Sequence, residues 1–388
     1  MKSSIRFSLF AFAIYAVSCK PVPVSHWFPV TPQEHYEKEL YKAKLEKTVA
    51  GERWFQTSKK VLSDSLYTIP PHQERFYLND LTPAQAIQIK IPKGRKMVVT
   101  PNRADMDTVS RLFLELYRIK TNGKSQRIGY LKEAEQSLTY ENKSEDTLLL
   151  RIQTGLNESL SVSVAFTTLP ILDFPVDKHK MSDVISFWGA QRDGGARSHE
   201  GIDIKAKRGT PVLASANGFV TQAGTNNLGG KVVFLSVHDS PYSLYYAHLD
   251  SQFVSFGKRV IKGDTLGLVG NTGNAITTAP HLHFGIYSRN EGAVDPLAFI
   301  DNRTEKVPGL PERSKWLGDS VKIRKQVNLF GSPQLVSSSK IRLLSTNTTL
   351  KIIGEIAKGY RVELSDGTKG YIPTVPLETL SREVSLYR

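Results

Sequence analysis

The chain has 388 residues, of which 40% are apolar and 23% charged, a length that at roughly 100–200 residues per domain calls for about two to four domains. This balance excludes a polytopic membrane protein and a wholly disordered chain, and 51 Lys and Arg against 37 Asp and Glu leave a net charge of +14, which favours an anionic partner such as nucleic acid, acidic lipid or an acidic polymer. The single cysteine, Cys19, rules out an internal disulfide and any zinc site built on several thiolates.

Residues 1–18 read as an export signal. Lys2 and Arg6 precede the apolar run Phe7-Ser-Leu-Phe-Ala-Phe-Ala-Ile-Tyr15, and small residues Ala16-Val17-Ser18 close it, a segment too short to span a bilayer. With Cys19 directly after, it resembles a bacterial lipoprotein signal, with Ala16 where Leu is usual. That resemblance implies cleavage before Cys19, lipidation of its thiol, and a mature protein anchored to a membrane of the cell envelope outside the cytoplasm. Residues 19–65 read as a tether, Lys20-Pro-Val-Pro23, followed by a helix from about Pro32 to Ser65. Tyr36, Leu40 and Ala43 recur there at helical spacing, with an interruption expected at Gly51.

From about Thr68 the period changes to two. Ile87, Ile89 and Ile91 alternate with polar residues, as do Leu112, Leu114 and Leu116, then Leu160, Val162, Val164 and Phe166, so residues 66–170 read as a β-sandwich. The runs Arg111-Leu-Phe-Leu-Glu-Leu-Tyr117, Ser137-Leu-Thr-Tyr140 and Thr147-Leu-Leu-Leu-Arg-Ile-Gln153 resemble the jelly-roll pre-peptidase C-terminal modules of secreted bacterial peptidases. Residues 183–301 are Gly-rich and dense in short strands, and 302–316 form a charged, Pro-broken linker. In residues 317–381, Ile352-Ile-Gly-Glu-Ile356 and a hairpin pivoting at Asp366-Gly367 resemble a bacterial SH3-type barrel, a module often used to hold cell-wall material. The fold class expected is mainly β.

Chemistry concentrates in Ser198-His-Glu-Gly-Ile-Asp-Ile204, Tyr245-Tyr-Ala-His-Leu-Asp250 and Ala279-Pro-His-Leu-His-Phe-Gly285. A period of two puts His281 and His283 on one strand face, and, if the first segment is extended, His199 and Asp203 also point one way with only Gly201 between them. Two imidazoles and a carboxylate make a three-ligand set with a vacancy, which suits a hydrolytic zinc that holds and acidifies a water. The His-Glu-x-x-His helix is absent, so histidine must supply proton transfer and oxyanion stabilisation: His248 and one of the 281/283 pair.

In their order, His-x-x-x-Asp, Tyr-Ala-His-Leu and His-Leu-His-Phe resemble the M23 family of zinc metallopeptidases, the lysostaphin-like cell-wall endopeptidases. The likeness extends to Phe187-Trp-Gly-Ala-Gln-Arg192, Gly209-Thr-Pro-Val212, Gly263-Asp-Thr-Leu-Gly-Leu-Val-Gly-Asn-Thr-Gly273 and Val294-Asp-Pro-Leu297. It departs at Gly285, where Glu is common, and at Gly224-Thr-Asn-Asn-Leu-Gly-Gly230. The resemblance implies an antiparallel β peptidase domain, Zn2+ held by His199, Asp203 and His283, and His248 and His281 acting on the water and the tetrahedral intermediate, the general base being either. The implied partner is peptidoglycan, whose peptide cross-links are cut. Arg192 is a candidate for orienting a substrate carboxylate.

Two other classes compete. A non-catalytic wall-binding protein, or an activator of other wall hydrolases, would keep the fold without hydrolysis. An iron oxygenase would use two His and one carboxylate, but with His and Asp two apart rather than four. His26, His35, His72, His179 and His238 read as packed or solvated side chains. The basic surplus is spread along an exported chain, which points away from nucleic acid.

Overall fold

The structure is a computed structural model and describes residues 30–103, 110–120, 123–142 and 147–379. The readings at residues 1–18, the tether, Cys19 and His26 lie outside the described residues. The described chain is mainly β with few helices, and no described helix is long and apolar enough to cross a membrane.

The first helix, Pro32–Lys42, starts where Thr31 and Glu34 cap each other: the Glu34 N–H donates to Thr31 Oγ1 at 3.1 Å and the Thr31 N–H to Glu34 Oε2 at 3.0 Å. The helical stretch does break, but at 43–48 rather than at Gly51. Lys44 takes a left-handed conformation with φ 58°, and Thr48 caps a second helix, Val49–Lys60, by accepting from the Gly51 N–H at 3.0 Å. Gly51 is needed inside that helix for space, because a Cβ there would collide with the Leu45 carbonyl. Trp54 carries the helix onto the strands, fully buried and donating from Nε1 to the Thr154 carbonyl at 2.8 Å.

Two sheets face each other beyond these helices. One contains, in spatial order, Tyr67–Thr68, Ala84–Ile89, Thr147–Thr154, Leu112–Ile119 and Ser125–Tyr130. Opposite lie His72–Leu78, Leu160–Pro170, Arg95–Asn102 and Leu138–Asn142. The alternation legible in the sequence aims Ile87, Ile89, Leu148, Leu150 and Ile152 at Phe76, Met97, Val99, Val162, Val164 and Phe166, all buried, at about 1.5–3 kcal/mol for each such side chain taken out of water.

The second sheet continues into the C-terminal segment. Strand Thr349–Ile356 pairs antiparallel with His72–Leu78, Glu74 opposite Ile356 and Phe76 opposite Gly354, and Gly359–Leu364, Lys369–Pro373 and Val327–Phe330 follow it in order. Phe330, Ile356 and Tyr371 belong to the same hydrophobic core as the sandwich residues. The joint is closed by charge: Arg361, without solvent exposure, donates to Glu74 Oε1 at 3.1 Å, to the Tyr371 hydroxyl at 2.9 Å and to the Ala86 carbonyl, while Arg75 pairs with Glu355.

Between these parts the chain builds a separate sheet in the order Val184–Ser186, Ile202–Lys205, His281–Ser288, Tyr242–Gln252, Gly230–Val237, Gly218–Asn226 and Arg259–Val260. Its buried face presents Ile202, Ile204, Val233, Leu235, Leu244, Tyr246, Leu282 and Ile286. It leans on the sandwich through Arg95, which donates to the Asp301 carbonyl, and through the Lys93–Glu291 pair.

Candidate active site

Strand pairing assembles the site. In His281–Ser288, Leu282 faces the core and His281 and His283 the other side; His283 stands directly opposite Asp203 on one neighbour and Ala247 on the other, one residue before His248. The segment holding His199 and Asp203 is not continuously extended: it bends at 199–201 between strands Arg197–Ser198 and Ile202–Lys205. The bend keeps the two side chains together because Gly201 lets the chain pass beneath the His283 ring; a Cβ there would lie 2.7 Å from His283 Cε1 and 2.6 Å from the Phe284 carbonyl oxygen.

Three atoms converge. His199 Nε2 lies 3.0 Å from Asp203 Oδ1 and 3.0 Å from His283 Nδ1, and His283 Nδ1 is 3.1 Å from Asp203 Oδ1, the one such group of possible metal ligands found among the described residues. His199 Nδ1 sits 2.9 Å from the Phe187 carbonyl oxygen. A carbonyl only accepts, so in the neutral ring Nδ1 carries the proton and Nε2 turns a lone pair toward the carboxylate. Acceptor then faces acceptor at 3.0 Å, an arrangement that a divalent cation would satisfy; the donor set of two imidazoles and a carboxylate therefore fits zinc.

Burial pushes the Asp203 carboxyl up, but with protons rather than a cation between them the imidazoles of His199 and His283 outweigh it and hold the group well below the usual carboxylate range. Burial lowers the His283 imidazolium despite the opposing attraction of Asp203, and takes His248 down to about 4, so His248 is neutral at physiological pH.

His248 and His281 share an orientation. Their Nδ1 atoms lie 2.8 Å from the Thr272 carbonyl oxygen and 2.9 Å from that of Ala279, which leaves each Nε2 as the free ring nitrogen. Their ring centroids are 5.0 Å apart, and that of His248 is 6.0 Å from that of His283. His248 holds a left-handed backbone, φ 62°, which costs a non-glycine residue about 1–3 kcal/mol; its N–H bond to the Gly229 carbonyl at 2.7 Å secures it.

These five residues line one open cleft of about 970 Å³ with Arg197, Glu200, Asn226, Asn274 and the ring wall of Phe234, Tyr245 and Tyr287. Its lining runs from 192 to 287, so among the described residues neither the sandwich nor the C-terminal segment covers it. Arg192 also lines the cleft, but its Nη2 donates to Asp203 Oδ2 and to Ser186 Oγ, both at 2.7 Å. It faces a ligand-set carboxylate of its own chain. That contact, and the Phe187, Thr272 and Ala279 carbonyls that fix the imidazoles, escaped the sequence: most partners are distant in the chain, and a backbone carbonyl has no residue signature.

The remaining described histidines are elsewhere. His35 lies 3.4 Å from Glu39 on an exposed helix face, His72 is buried against Glu74, His179 is set against the Asp177 carbonyl, and His238 is beside Asp239.

Residues 197–296 match the profile of Peptidase family M23. The chain is similar to the peptidoglycan DD-endopeptidase ShyC of Vibrio cholerae, 37% identical over 24% of this chain and 20% of that protein. It is also similar to the glycyl-glycine endopeptidase ALE-1 of Staphylococcus capitis, 38% identical over 26% of this chain and 29% of that one. The chain thus spans less than a third of the length of these relatives. The solved catalytic domain of lysostaphin from Staphylococcus simulans is 34% identical over 30% of this chain and 89% of that one, with a TM-score of 0.28.

Proposed function

We propose that this protein is an exported zinc endopeptidase that hydrolyses the peptide cross-links of peptidoglycan. The observation that carries it is the convergence of His199 Nε2, Asp203 Oδ1 and His283 Nδ1 within 3.0–3.1 Å of one another beside two imidazoles with free Nε2 atoms. The names of the similar endopeptidases support peptidoglycan as substrate. As they cut different bonds, they leave the bond open.

His199, Asp203 and His283 would hold the zinc, which when bound would lower the pKa of a water to about 7 and polarise the scissile carbonyl. His248 and His281, anchored through Nδ1, offer Nε2 to the reaction: one accepts the proton of the attacking water and returns it to the leaving amine, and the other faces the tetrahedral intermediate. The Phe234–Tyr245–Tyr287 wall receives the substrate peptide. Arg192 acts through Asp203 as a positioning residue, holding Oδ2 so that Oδ1 faces the metal.

The test is digestion of isolated sacculi by the full chain. We expect new amine ends in the released muropeptides, their loss with a chelator and recovery with zinc, and a drop of at least a hundredfold for His281→Ala. Zinc bound without cleavage of any wall type would instead identify a non-catalytic wall-binding protein. In the cell envelope, outside the cytoplasm, with a lipidated Cys19, the enzyme works from a membrane anchor; metabolic labelling with a palmitate analogue, lost in Cys19→Ser, checks this.

A further inference from the structure

The sheet that carries the cleft has a second surface, remote from it. After strand Tyr242–Gln252 the chain makes two consecutive tight turns. In the first, the Lys258 N–H donates to the Ser255 carbonyl at 3.2 Å around Gly257, φ 81°; in the second, the Asp264 N–H donates to that of Ile261 at 3.0 Å around Gly263, φ 90°. Positive φ at the third residue marks both as turns that push their second residue, Phe256 and Lys262, outward.

Between and beside these turns, Val254 and Val260 point into the core, 9% and 1% exposed, and pin the segment. Its other apolar side chains do the reverse: Phe256 is 79% exposed, Ile261 62%, Phe253 55% and Phe219, on the paired strand, 38%. The fold gains nothing from leaving three phenylalanines and an isoleucine in water. They are interleaved with exposed Lys258, Arg259 and Lys262, of which Lys262 pairs with Asp173 at 3.1 Å; the Arg259 guanidinium lies 5.1 Å from the Phe219 ring centroid, and residues 251–263 contain no Asp or Glu.

We infer that this double turn, Phe253 to Lys262, is a membrane-contacting surface that inserts Phe256 and Ile261 among the acyl chains of an anionic phospholipid bilayer while Lys258 and Arg259 meet the headgroups. Protruding turns with apolar tips suit a planar interface rather than a ligand held in a groove. The basic rim supplies charge complementarity to anionic lipid. Strand Gly218–Asn226 runs from this patch at Phe219 to the cleft wall at Asn226, about 23 Å at the usual rise per residue, so contact with a bilayer leaves the cleft open and sets its orientation. This inference does not depend on the peptidase reading.

The lone cysteine makes the test clean. In the full chain with Cys19→Ser, which also removes acylation, Ser255→Cys gives a unique label site on the first turn, and Thr346→Cys one on the exposed C-terminal segment. With a polarity-sensitive fluorophore at 255, vesicles containing phosphatidylglycerol raise emission at least twofold at 0.15 M salt. Pure phosphatidylcholine vesicles do not, and the label at 346 stays unchanged with either. Phe256→Ser with Ile261→Ser, or Lys258→Glu with Arg259→Glu, abolishes the response while cleavage of soluble muropeptides stays within twofold of the parent. A silent label at 255 with anionic vesicles overturns the inference, as does an equal response at 346. A response to lipid-free sacculi in place of vesicles also overturns it and assigns the surface to the wall.

Discussion

Arg192 stands 2.7 Å from both Asp203 Oδ2 and Ser186 Oγ, with Ser186 Oγ in turn 3.4 Å from His199 Nδ1. One guanidinium thereby braces two of the three proposed ligands. Removing it frees Asp203 to rotate, and Arg192→Ala is expected to lower zinc affinity about 10–100-fold, the usual cost of losing an outer partner of a metal ligand. Competition with a chromogenic chelator measures this directly, and Arg192→Lys, which lacks the planar fork, recovers only part; unchanged affinity in Arg192→Ala would remove the positioning role. The five site residues were legible beforehand because period-two spacing places His281 and His283 on one face and the ordered motifs supply the rest. The partner of Arg192 was not, since an arginine at a cleft edge reads identically whether it faces substrate or a neighbour eleven residues on.

At the scale of elements, the two glycines singled out in the sequence turned out to act by absence of volume. Gly51 admits the Leu45 carbonyl inside a helix, and Gly201 admits the His283 ring under a bend. Helical spacing indicates where a helix runs, but a steric need created by a fold-back is invisible to periodicity, which is why the break was expected at 51 and lies at 43–48. Gly201→Ala is expected to displace His283 and cut zinc affinity at least tenfold with far-ultraviolet circular dichroism unchanged, since strands Ile202–Lys205 and His281–Ser288 keep their register. Retained affinity would show that the bend can yield by the few tenths of an ångström a Cβ requires.

For the whole molecule, the feature absent from the sequence is the shared sheet. Composition and linker marked the sandwich and the C-terminal segment as separate readings, and each strand pattern was visible, but which edge meets which depends on contacts across the intervening region. The joint rests on a buried pair. Burial pushes the Glu74 carboxyl up, yet Arg361 and His72 hold it below its ordinary 4.5, while burial keeps the Tyr371 hydroxyl well above 10. In acid the unfolded chain takes up the Glu74 proton first, so stability is full above about pH 4.5 and falls as pH drops through the lower folded value; above pH 10 the unfolded chain releases the Tyr371 proton first, and stability falls again. Melting temperatures from pH 3 to 11 test both limbs. Glu74→Gln, which leaves Arg361 buried without its counter-charge, is expected to cost about 3–5 kcal/mol, read as a lowered urea midpoint.

That shared sheet also imposes an order in time. Glu74 and Arg361 are 287 residues apart, and at about 5–20 residues per second a ribosome needs roughly 15–60 s to deliver the second after the first. Until then strand His72–Leu78 has a neighbour on one side only, and its open edge is a template for wrong pairing. The sheet that carries the cleft, whose strands all lie within residues 184–294, can close during that wait, so the cleft forms before the frame around it is complete.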